Sequence, residues 1–285
     1  MINRLHKRIV RRAYRRARHR LLSGWRSLER APIFFANSFP KSGTHLLTQV
    51  LEGFTRLGPA VNSGLPPILT YEGPTGIPRS RDEIMRDLHR LLPGDIAFGH
   101  LHALPETMEF LCRDGVIPYF ILRDPRDVVV SHAYYVTEMS TAHVHHDYYA
   151  RTLQTMEERI KVSITGRPEI EIPFPDICGR FEPYVGWLDR PEVLSLHFED
   201  FIHNRQEILG RVLDHALGRG FPLQSGRESA IRTLLESIDP QSSPTFRSGK
   251  TGAWRDQFTP EHKALFKEVT GDLLIRLGYE DDDLW

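Results

Sequence analysis

The chain has 285 residues, 40% hydrophobic and 26% charged, the balance of a globular protein long enough for one large α/β domain or two small ones. Its longest apolar runs, such as residues 117–122, are strand-sized and too short to span a bilayer; two cysteines, Cys112 and Cys178, are too few for a disulfide framework and fit a reducing compartment. The zero net charge hides an asymmetry: residues 1–30 carry 11 Lys/Arg against one acid, Glu29, while the remainder holds 26 basic and 36 acidic residues.

The basic arm, residues 1–30, sets Leu5, Ile9, Ala13 and Ala17 at near-helical spacing among arginines, which predicts a helix with one modest apolar stripe and a cationic face. It lacks the uninterrupted apolar segment of a secretory signal. Two readings stand side by side: contact with an anionic membrane surface or another polyanion, and a solvated helix resting on the domain. No specific nucleic-acid partner is expected, and the predicted location is cytoplasmic, peripheral to a membrane if the arm binds one.

The globular domain is predicted to span residues 31–285. Residues 32–38 are a short apolar run rich in strand formers, followed by a turn at 39–44 and a helical pattern from His45. Further strands are predicted at 96–99, 118–122 and 193–198, with helices from about Val128 and over about 203–217. Strands alternating with helices predict an α/β fold, a three-layer sandwich with a mainly parallel central sheet flanked by helices. In such folds ligands gather beyond the carboxyl ends of the strands. Residues 137–183 read as an insertion covering the site, with a helix near 147–162 and a histidine-rich patch, His143, His145 and His146. The spacing of those histidines with Asp147 matches no common zinc pattern, so no metal is expected.

Three segments carry the chemistry. Pro40-Lys41-Ser42-Gly43-Thr44 stands between a strand and a helix. There Gly43 admits close approach of an anion, the first helical N–H groups point at it, Lys41 adds charge, and Ser42 and Thr44 add hydroxyls. The order of a Walker A loop is absent. Arg123 falls at the end of the 118–122 strand and Ser131 eight residues later; the guanidinium can fork two donors onto a phosphate that the serine also reaches. Arg126 and Asp127 read as a local ion pair or helix cap. Phe246-Arg247-Ser248-Gly249-Lys250-Thr251-Gly252-Ala253-Trp254 can close backbone and side chains over an anion or be a basic surface loop.

Together, in this order, the segments resemble the family of sulfotransferases that use 3′-phosphoadenosine 5′-phosphosulfate (PAPS), over roughly residues 32–280. The resemblance implies a P-loop-like fold and sulfuryl transfer from PAPS, with adenosine 3′,5′-bisphosphate (PAP) as product and no metal required. By that likeness Lys41, Ser42, Gly43 and Thr44 hold the 5′-phosphate, and Arg123, Ser131, Arg247 and Gly249 the 3′-phosphate. The family's catalytic histidine matches Gly99-His100-Leu101-His102, with His100 aligning best and His102 standing where the family often has proline. His100 would take the acceptor's proton and Lys41 would neutralise the leaving phosphate.

Two departures mark a distant branch: Ser248 replaces a lysine common in the last motif, and His45, Leu46 and Leu47 stand where an adenine-stacking tryptophan is common. The acceptor is a hydroxyl on a glycan, a lipid-linked group or a small molecule, the first two favoured if the arm binds membranes. The rival readings are a P-loop-type nucleotide kinase or NTPase, and a non-catalytic nucleotide- or polyanion-binding protein.

Overall fold

The computed structural model describes residues 10, 13–17, 21, 28–73, 75–170, 172–242 and 249–285. Six strands build one sheet: β1 (Ile33–Ser38), β2 (Val61–Asn62), β3 (Ile68–Leu69), β4 (Asp95–His100), β5 (Val116–Leu122) and β6 (Leu194–His197). Their order is β2-β4-β1-β5-β6, with β3 also pairing β4, and every pairing between them is parallel.

Alternation along the central strands explains the layers. Ile33 and Phe35 of β1 enter one buried apolar cluster, while Phe34 and Ala36 enter the other on the opposite face. The first cluster is covered by α3 (Pro105–Cys112), α4 (Pro125–Tyr134), α5 (Met156–Thr165), α6 (Ile177–Val185) and α11 (Pro260–Thr270). The second lies under α1 (Thr44–Gly53), α8 (Arg205–Gly218) and α9 (Arg227–Glu236). Short helices α2 (Arg81–Leu88), α7 (Phe198–His203), α10 (Trp254–Gln257) and α12 (Leu273–Arg276) complete the described chain. This is the predicted sandwich of helices on both faces of a parallel sheet.

Several boundaries differ from the sequence reading for local reasons. Helix α4 begins at Pro125 rather than near Val128, because the Asp124 carboxylate accepts the Arg126 N–H and proline suits the first helical position. The helix expected at 203–217 is two helices, α7 and α8, parted at Asn204 with φ −127° and ψ 38°. That expected at 147–162 is a π-helical turn, Tyr148–Thr152, followed by α5, whose start is fixed by a Thr155–Glu158 capping box.

Most of the basic arm, including Leu5 and Ile9, lies outside the described residues. Within 13–17, Arg16 is buried and pairs at 2.8 Å with the fully buried Asp95 at the amino end of β4, while donating to the carbonyl of Pro93. Among the described residues no helix is long and apolar enough to cross a membrane.

Candidate functional site

A cavity of about 670 Å³ lies across the carboxyl ends of the strands. Sheet order arranges its walls: the turn after β1 is central, Leu69, Tyr71 and His100 follow from β3 and β4 on one side, and Arg123, Phe198, Ile202 and Arg205 from β5 and β6 on the other.

The central turn is built for close approach to the helix end. Lys41 and Gly43 both adopt left-handed backbone, φ 69° and 96°. Gly43 is the N-cap of α1 and no side chain caps that end, so its first amides are not taken by a capping residue. A Cβ at Gly43 would stand 2.7 Å from Cδ2 of Phe198. Lys41, Gly43 and Thr44 line the cavity. Ser42, expected to contact phosphate through its hydroxyl, is instead wholly buried. Lodged between two left-handed residues, its side chain turns into the protein.

His100 ends β4. The approach of β3 fixes its backbone: Ile68 pairs with Gly99 and Leu69 with His100, so closely that a Cβ on Gly99 would meet the Ile68 carbonyl oxygen at 2.1 Å. Beyond it, the buried Asn37 amide donates to the Leu101 carbonyl and accepts the Leu101 N–H. Nδ1 of His100 sits 2.9 Å from the Ser38 carbonyl oxygen and 3.0 Å from the Ser38 hydroxyl. A carbonyl only accepts, so Nδ1 carries the proton and Nε2 is left as the basic nitrogen. Burial lowers the pKa of His100, helped by His45 and Lys41 and opposed by the Ser38 carbonyl, and the net lowering favours the neutral ring. The Ser38 hydroxyl also lies 2.7 Å from that of Thr44, linking histidine and helix end. His102, by contrast, packs edge-on against the rings of Tyr71 and Tyr184, and burial drops its pKa to about 4; it is His100 that borders the cavity.

On the opposite side, Arg123 donates to the Asp127 carboxylate at 3.2 Å and to the Lys250 carbonyl at 2.7 Å, over the face of Phe198. Asp127 does more than pair locally: its carboxylate also accepts the N–H groups of Gly252 and Trp254, fastening the C-terminal segment to the end of β5. Arg126 fits the expected structural role. It is buried, pairs with Asp124 and Glu280, and packs against the rings of both Trp254 and Trp285. Ser131 and Gly249 reach the cavity; Arg247, with Ser248, lies outside the described residues.

The residues that sequence reasoning singled out therefore meet in one cavity, apart from Ser42 and His102, and with Arg247 not described. Sequence reasoning did not find the rest of the lining: Phe198, Ile202, Arg205, Ile238, Pro240, Pro67, Leu69, Tyr71, Phe98, Tyr135 and Tyr184. Of these only Tyr135 had a local signal, four residues after Ser131 on the same helical face.

The histidine-rich patch meets His132 beside the cavity, which His143 lines. His132 and His143 have ring centroids 5.8 Å apart, and His143 and His145 5.4 Å. Burial is the main cause holding His143 and His145 at pKa values of about 4 and His132 well below the usual histidine range, with Arg167, Arg180 and Lys41 adding repulsion. Among the described residues no group of histidine, cysteine and acidic side chains is arranged to hold a metal.

The site suits a polyanionic nucleotide. Nε of Arg123 is buried without a hydrogen-bond partner among the described residues, so it retains capacity that an anion can satisfy. The open helix end and the glycine cradle add backbone donors.

Comparison with known proteins gives the family and the fold. The family model of the sulfotransferase domain matches residues 119–278. A search of curated proteins returns no match. Among solved structures, mouse sulfotransferase SULT7A1 complexed with PAP is similar at 18% identity, covering 88% of each chain, with TM-score 0.57. Retinol dehydratase in complex with androsterone and the inactive cofactor PAP is 18% identical, covering 87% of this chain and 83% of that one, with TM-score 0.55. A complex of retinol dehydratase with retinol and PAP gives 17% identity, 86% and 82% coverage, and TM-score 0.57. With the family match spanning more than half its length, the chain belongs to the sulfotransferase family.

Proposed function

We propose that the protein transfers a sulfuryl group from PAPS to the hydroxyl of a small, ring-bearing alcohol or phenol. The observation that carries this reading is the convergence of Lys41, His100, Arg123 and Ser131 on one cavity whose lining combines cationic and aromatic side chains. Arg123, Ser131 and Gly249 would hold the 3′-phosphate, and Gly43 and Thr44 with the first amides of α1 the 5′-phosphate. Tyr71, Phe98 and Tyr184 supply ring faces for an acceptor, which favours a small molecule over a glycan or lipid-linked group.

The reaction is a direct in-line displacement. The acceptor oxygen bonds to sulfur as the bond from sulfur to the phosphate oxygen breaks. Nε2 of His100 takes the hydroxyl proton, which its neutral tautomer permits. Lys41 stabilises the charge that gathers on the departing phosphate. Positioning and charge stabilisation dominate, as in loose phosphoryl transfer. Membership of the sulfotransferase family and the lack of a Walker A order favour this reading over a kinase or NTPase.

The test is incubation with [³⁵S]PAPS and a panel of phenols, sterols and oligosaccharides without metal. Label is expected on ring-bearing acceptors. Label on oligosaccharides alone would overturn the acceptor class, and no label on any acceptor would overturn sulfuryl transfer.

A further inference from the structure

The ammonium of Lys41 lies 3.9 Å from the centroid of the Tyr135 ring. Two features of the backbone bring them together. Lys41 sits in the left-handed region at φ 69°, a conformation that costs a non-glycine residue and directs its stem across the turn. Tyr135 opens a π-helical turn, Tyr135–Met139, that continues α4 beyond Tyr134; such turns are uncommon and cluster at functional sites. Tyr135 follows Ser131 by one turn, and both line the cavity.

The tyrosine is itself braced. Its ring meets His143 edge-on at 6.1 Å, and the Nδ1 of His146 bonds the carbonyl of the adjacent Val136 at 2.7 Å. The Tyr135 carbonyl accepts the N–H of Ser140, closing the turn. A rigid ring face is thus presented to the ammonium at the end of a long side chain.

We propose that Tyr135 is a positioning residue for Lys41: the face of its ring holds the ammonium in the cavity beside the phosphate turn, where it must act on the leaving phosphate. This rests on the sulfuryl-transfer reading for its consequence, though not for the contact itself. The face of the ring does the work and the hydroxyl does not, so phenylalanine substitutes for tyrosine and leucine does not.

Two readouts test it. With six lysines in the chain, ε-¹³C-lysine labelling gives a simple spectrum in which the Lys41 signal is assigned by its loss in Lys41→Arg. The Lys41 ε-protons are expected upfield, in the ring current, in the wild type and in Tyr135→Phe, and at ordinary lysine positions in Tyr135→Leu. The second readout is consumption of PAPS with water as nucleophile, in which the sulfur–phosphate oxygen bond breaks and PAP and sulfate form. Tyr135→Leu is expected to lower kcat about ten-fold with KM for PAPS within two-fold, and Tyr135→Phe to stay within two-fold of wild type. In a Lys41→Ala background, Tyr135→Leu is expected to add no further loss.

An unshifted Lys41 signal in the wild type overturns the contact. A Leu variant at the wild-type rate, a Phe variant as impaired as Leu, or additive losses in the double variant overturns the positioning role. A wild type that binds PAP, shows the shifted signal and passes no sulfuryl group to water or to any acceptor overturns the functional reading while the contact stands.

Discussion

The Nδ1 of His100 lies 2.9 Å from the carbonyl oxygen of Ser38, the last residue of the neighbouring strand. A main-chain acceptor held by the sheet thereby selects the tautomer of the proposed base. Because burial, with His45 and Lys41, pulls the pKa below the usual 6.5, the base form already dominates at neutral pH. The sign follows directly: activity rises as His100 loses its proton, with a midpoint below 6.5, and is flat through pH 7. His100→Gln is expected to lower kcat by about 10²- to 10⁴-fold and to abolish that limb. A pH–rate profile of both proteins checks this.

Gly43→Ala is expected to damage both fold and site. The new Cβ would need φ 96° and would stand 2.7 Å from Phe198, against which Arg123 also rests. A loss of about 1–3 kcal/mol in urea unfolding, with weakened PAP binding, is the expected result.

Asp127→Asn separates anchoring from direct contact. The carboxylate joins Arg123 to the amides of Gly252 and Trp254, so its loss should loosen the C-terminal segment and the guanidinium together. About 10- to 100-fold weaker PAP binding is expected, as for a charged hydrogen bond worth roughly 1.5–3 kcal/mol, with kcat at saturating PAPS little changed. Calorimetric titration and steady-state kinetics distinguish the two.

The buried histidines give stability a pH dependence. His132, His143 and His145 have folded pKa values depressed from the ordinary histidine value, to about 4 for the last two. The unfolded chain therefore binds protons first: the stabilisation present above pH 6.5 is lost as pH falls towards 4. Each histidine contributes up to about 1.4 kcal/mol per pH unit within that window. Urea unfolding between pH 7 and pH 5 should show this slope, and His145→Phe should make it shallower.

Strands β1, β4 and β5 were legible as apolar runs largely buried on both faces, and β6 as a short apolar run at the sheet edge, with the proposed anion-binding residues just beyond β1 and β5. The two-residue strands β2 and β3 leave no periodic trace, yet β3 is what pins His100. The choice between His100 and His102 also turns on tertiary contacts, since the two differ in sequence only by their neighbours but in space by a cavity wall against an aromatic cage. Ser42 shows the converse: its place in the turn suggests a phosphate ligand, and the left-handed residues on either side bury its hydroxyl. Asp127 is read from sequence as a local pair, and its bonds to Gly252 and Trp254 span 125 and 127 positions.

The most direct test of the central claim is calorimetric titration of PAP, without metal, into the wild type and Arg123→Ala. Micromolar binding by the wild type that is lost in a folded Arg123→Ala variant is the predicted result. No binding of PAP by well-folded wild type would contradict PAPS as the donor for this cavity.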